Sequence, residues 1–113
     1  MTYDEIVEMA EEAGLPVAYD HFSEGESPDP PFLIFRFPGD NNFSADGTTY
    51  AEVTALDFEL YTDYKDPELE RVIETILTSH GIFYDRSETW IPGEKMYEVL
   101  YEMEVLYADS ESE

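Results

Sequence analysis

Residues 97–107 read YEVLYEMEVLY, and Val99, Tyr101, Met103 and Val105 fall at every second position. That is the period of a β-strand with one buried face, because successive side chains point to opposite sides of the backbone. The intervening face carries Glu98, Glu102 and Glu104. Solvent alone can account for glutamates on an outer face, so their meaning depends on the rest of the chain.

Working backwards, residues 82–91 (IFYDRSETWI) form a second strand candidate, joined to the first around Pro92-Gly93. Before it comes a helix with strong start signals. Asp66 stands at the N-cap, Pro67 at the first helical position, and Glu68 near the positive end of the helix dipole. Leu69, Val72, Ile73, Ile76 and Leu77 supply its apolar stripe, and His80-Gly81 its stop.

Residues 50–62 (YAEVTALDFELYT) alternate again, Leu56, Phe58 and Leu60 on one side and Asp57, Glu59 and Tyr61 on the other. This predicts a second acid-faced strand. Residues 32–37 (FLIFRF) are nearly all apolar and predict a strand that either is covered on both faces or faces a partner. Residues 17–22 (VAYDHF) predict a short strand, and residues 23–31 a surface loop rich in Pro, Gly, Ser and acids.

At the start, Thr2 and Glu5 have capping-box spacing ahead of an Ile6, Met9, Ala10, Ala13 stripe, and Gly14 and Pro16 end the helix. The order is αβββαββ. It predicts an α+β fold: a mostly antiparallel sheet of about five strands with two helices on one face. One domain over residues 1–107 and a flexible acidic tail over 108–113 are expected.

The chain has 28 Asp and Glu against 5 Lys and Arg, a net charge of −23. Direct nucleic-acid binding is disfavoured, because such binding works by cations displacing counterions from a polyanion. At 42% hydrophobic and 15% aromatic residues, with clear periodicity, the chain is expected to fold rather than stay disordered. Absence of cysteine excludes a thiol nucleophile, a cysteine-ligated metal and a disulfide framework. The opening MTYDEIVEMAEEAG has no basic segment followed by an apolar run, and no later stretch approaches the ~18 apolar residues of a membrane span. A soluble, non-secreted chain is expected.

No motif for enzymatic chemistry emerges. Asn42, Ser44, Asp46 and Gly47 fall somewhat like an EF-hand loop, but Val53 stands where the bidentate Glu belongs. His21 and His80 read as structural, and no GxSxG, phosphate loop or HExxH is present. No catalytic, cofactor or metal residue is assigned. Nine Tyr, seven Phe and one Trp exceed the needs of one small core, which favours an oligomer or docking module.

The blocks PPFLIFRFPGDNNFSADGTTY (residues 30–50), ELYTDYKDPELERVIETIL (59–77), GIFYDRSETWI (81–91) and KMYEVLYEMEV (95–105), in this order, resemble a family of small structural proteins. These are encoded in tail-morphogenesis regions of siphophages and prophages of Gram-positive bacteria. The resemblance runs from Gly14 to Val105 and is to the tail terminator, or tail completion, class. It implies a ring, six-fold by family analogy, that caps the tail tube and joins it to the head. Implied partners are other copies of the chain, the major tail protein and a head-completion or neck protein, with DNA passing through unbound and no membrane involved. The implied location is the virion tail and neck, after assembly in the host cytoplasm.

Within that resemblance Asp57, Glu59, Glu98, Glu102 and Glu104 are expected to line the lumen. Asp40, Asn41, Asn42, Phe43, Ser44, Ala45 and Asp46 are expected to form an interface arm. Two alternatives remain: another head–tail connector or neck protein, and an acidic DNA mimic that inhibits a nucleic-acid-binding enzyme.

Overall fold

The computed structural model describes residues 1–39 and 52–108. Helix α1 spans Tyr3–Glu11 and opens on a complete capping box. The Glu5 amide donates to Thr2 Oγ1 at 3.1 Å, and the Thr2 amide donates to Glu5 Oε1 at 2.9 Å. Helix α2 spans Pro67–Ser79, and the Leu69 amide donates to Asp66 Oδ1 at 3.2 Å. Its end is a Schellman motif: Ile82 N–H bonds Leu77 O at 3.0 Å and Gly81 N–H bonds Thr78 O at 2.9 Å. Gly81 sits at φ 74° to allow it.

Among the described residues five strands form one mixed sheet: β1 (Val17–Tyr19), β2 (Phe32–Arg36), β3 (Glu52–Thr62), β4 (Tyr84–Ile91) and β5 (Met96–Tyr107), in the order β1-β2-β3-β5-β4. Strands β1 and β2 pair in parallel, and the pairings β2–β3, β3–β5 and β4–β5 are antiparallel. Strands β3 and β4 therefore run in the same direction with β5 inserted between them, and α2 is the crossover that connects them. The fold is α+β in the predicted order.

Register explains the core. Leu33↔Leu60↔Val99 and Phe35↔Phe58↔Tyr101 are rows across β2, β3 and β5, and Leu56↔Met103 is a third. All of these side chains are buried in one cluster with Ile6, Met9 and Ala10 of α1 and Ile73 and Leu77 of α2. Both helices thus cover the same face. Alternation in β3 and β5 is what makes that face continuous, since a slip of one residue would turn the carboxylates inward.

Three expectations need correction. Strand β1 stops at Tyr19 instead of Phe22, because Asp20 adopts φ 66° and the next amide turns back to Tyr19 O at 2.6 Å. Strand β4 starts at Tyr84, not Ile82, because the Schellman turn uses Ile82. On α2, Val72 is 42% exposed, while Glu70 shares the buried stripe with Ile73 and Leu77.

Strand β2 is covered on both faces, one of the two readings its composition allows. On the side away from the helices Phe32 is buried between the Phe22 ring, edge-on at 5.3 Å, and the Tyr61 ring, stacked at 5.2 Å. Among the described residues, no helix is long and apolar enough to cross a membrane.

Candidate functional site

The sheet face opposite the helices gathers the carboxylates. One row across the strands is Arg36↔Asp57↔Glu102↔Asp85, from β2 through β3 and β5 to β4. The next is Ile34↔Glu59↔Leu100↔Ser87, and beyond it Phe32↔Tyr61↔Glu98↔Thr89. On the other side of the first row, Glu104 faces Ala55. The five acids singled out in the sequence therefore share one face, with Asp57 and Glu102 directly opposite each other.

They do not share one environment. Asp57 and Glu59 are only 5% and 8% exposed, whereas Glu98 is half-buried and Glu102 and Glu104 are exposed. Five open carboxylates were expected, and only the β5 members offer charge to solvent. The reason is Arg36, which register places beside β3. Its Nε donates to Glu59 Oε2 at 3.0 Å, and its Nη2 lies 4.0 Å from Asp57 Oδ2. The Tyr61 hydroxyl donates to Glu59 Oε1 at 2.9 Å.

The electrostatics follow from that arrangement. Burial pushes the Asp57 carboxyl above the usual range; Arg36 opposes the shift, and the charges of Glu102 and Glu59 add to it. Burial and the Glu59 charge likewise raise Glu98, and the Arg36 charge opposes the shift. The Arg36 guanidinium is held charged chiefly by its hydrogen bond to Glu59. This face therefore stores repulsion that one arginine only partly relieves.

A second polar cluster, missed in the sequence, lies on the helix side. Glu70 of α2 is 5% exposed and accepts from Lys65 Nζ at 2.7 Å and from Arg86 of β4. Lys65 also donates to Glu88 at 2.6 Å, Arg86 Nε lies 3.4 Å from Glu74, and the Tyr101 hydroxyl donates to Glu74 at 2.9 Å. The network ties α2 to strand β4, which is otherwise largely exposed. The available signal was the spacing Glu70, Ile73, Leu77, which puts the carboxylate on the buried stripe.

His80 is the C-cap of α2, and its Nε2 pairs with Glu12 at 2.8 Å, joining the ends of the two helices. His21 is paired with Asp20 on the surface. Among the described residues, no group of three or more His, Asp or Glu is arranged to hold a metal. The interface-arm residues Asp40 to Asp46 lie outside the described residues, as do 109–113 of the acidic tail.

Neither the comparison with protein-family models nor that with curated proteins yields a match.

Proposed function

We propose that the chain is a structural protein of a siphophage tail: a terminator that forms a ring on the tail tube, joins it to the head and turns an acidic sheet face toward the DNA path. The observation that carries this reading is the sheet face without a helix, on which register sets Asp57 against Glu102 and leaves Glu102 and Glu104 open to solvent. Opposed like charges cost stability, and a passage that must repel phosphates is a reason to keep them.

Burial narrows the channel role to Glu98, Glu102 and Glu104. Asp57 and Glu59 then act from beneath, setting the charge of the strand that the β5 glutamates share. The block resemblance over residues 14–105 and the α+β architecture support the same reading. Partners would be further copies of the chain, the tube protein and a neck protein, and the chemistry required is assembly, not catalysis.

Electron microscopy of the purified chain mixed with its tail-tube protein tests the proposal. Rings seated on tube ends and a defined tube length are expected. Absence of rings together with unchanged tube length would remove the terminator reading, and tight binding to a basic nucleic-acid enzyme instead would favour the DNA mimic.

A further inference from the structure

At the end of the sheet where β4 begins, an open cleft of about 810 Å³ is left. The β4–β5 pairing ends at Tyr84↔Met103, while β5 continues to Tyr107 against β3. Lining residues include Ala55, Asp57, Phe83, Asp85, Glu102 and Leu106. Two of them are apolar and conspicuously bare: Phe83 is 93% exposed and Leu106 59%. Exposed aromatic and aliphatic groups rimmed by polar ones mark interaction surfaces.

The second observation is Asp57. Its side chain is more than nine-tenths buried. Its nearest cation, Arg36 Nη2, stays 4.0 Å away while the same guanidinium bonds Glu59 at 3.0 Å. A buried carboxylate left in that state retains a desolvation cost that an entering cation would offset. Asp85 and Glu102 stand in the same row and would complete the cation's surroundings.

We propose that this cleft is a docking site for a partner protein's segment carrying a Lys or Arg beside an aliphatic or aromatic residue. The cation enters between Asp57, Glu102 and Asp85, and the apolar neighbour lies on Phe83 and Leu106. Charge complementarity selects this occupant. Residues 40–51 and 109–113 contain no Lys or Arg, so neither segment of the chain supplies the cation. Of the five cations, Arg36, Lys65 and Arg86 are already ion-paired, and a second copy brings a charge of −23 with it. Nucleic acid is repelled by the same carboxylates. The inference is independent of any role in a phage tail.

Its test is a titration of the isotope-labelled full chain with a synthetic pentapeptide of alternating leucine and lysine, followed by amide chemical shifts. An analogue with glutamate for lysine serves as control. Shifts are expected at Ala55, Phe83 to Asp85 and Glu102 to Leu106, with no response to the control. Glu102→Gln and Phe83→Ser should each weaken binding roughly five- to tenfold, as loss of one good interfacial contact does. The variant Glu24→Gln with Glu26→Gln, in the remote loop, should not. Shifts scattered over the whole acidic surface, or a Phe83→Ser variant that binds as well as the parent, would overturn the proposal. So would concentration-dependent shifts of the cleft without peptide, which would mark self-association.

Discussion

Arg36 is the residue on which the acidic face turns. The alternation of β3 tells which side Asp57 and Glu59 take, but not what covers them, because the covering cation arrives from β2 through a pairing no local pattern reveals. Removing it leaves two buried carboxylates without a cation. Arg36→Gln is expected to destabilise the fold by about 3 kcal/mol, the low end of what a broken buried pair costs, since the arginine itself is partly exposed. Urea unfolding measures this, and a loss below about 0.5 kcal/mol, the range of an ordinary surface substitution, would show that the pair is unimportant.

Asp57 and Glu98 also give the pH dependence a sign. Both hold a proton more tightly in the fold than in the unfolded chain. Their contribution is therefore fully present below the ordinary carboxylate range and lost as pH rises through their raised values. Glu88, lowered first by Lys65, acts oppositely: its contribution is present above the ordinary range and lost as pH falls through its lowered value. Thermal stability should rise on acidification from about pH 7 toward about pH 5 and fall again below. In the variant Asp57→Asn with Glu98→Gln the rise should flatten, and a parent curve that falls monotonically over the same interval would contradict these assignments.

At the scale of elements, legibility followed the strength of local signals. The capping box of α1, the Asp66-Pro67 start of α2 and the period of β5 each stand in the sequence and each recur in the fold. Strand β1 ended early because Asp20 takes a left-handed conformation that nothing in VAYDHF announces. The stripe of α2 holds at Leu69, Ile73, Ile76 and Leu77 and fails at Val72, and Glu70 was left out of it because it reads as a surface residue until Lys65 and Arg86 are seen around it. Gly81 provides the element-level prediction. No atom crowds an added Cβ there, so Gly81→Ala should cost only the left-handed backbone penalty, about 1–2 kcal/mol in thermal or urea unfolding. An unchanged stability would mean that the Schellman turn is not what ends α2.

For the molecule as a whole, the fold class was readable and the strand order was not. Inserting β5 between β3 and β4 depends on long-range pairing, which leaves no mark on either strand's own pattern. The acidic face was half-readable for the same reason: composition and alternation gather its members, and only the assembled sheet sorts them into buried Asp57 and Glu59 and open Glu102 and Glu104. Replacing Glu98, Glu102 and Glu104 together with Gln removes three like charges from that face. Stability should stay level or rise by about 1 kcal/mol, the scale of relieved cross-strand repulsion, while under the proposed tail role particles carrying the variant should package or eject DNA less well. Unfolding curves and a DNA-ejection assay on the same preparation measure the two effects.

The central claim is the direction in which the acidic sheet face points, and a cryo-electron-microscopy reconstruction of the chain assembled on the tail tube it is proposed to cap measures that directly. A closed ring with Glu98, Glu102 and Glu104 turned toward the central axis is predicted. A ring in which the helices α1 and α2 line the channel and these glutamates face outward would contradict it.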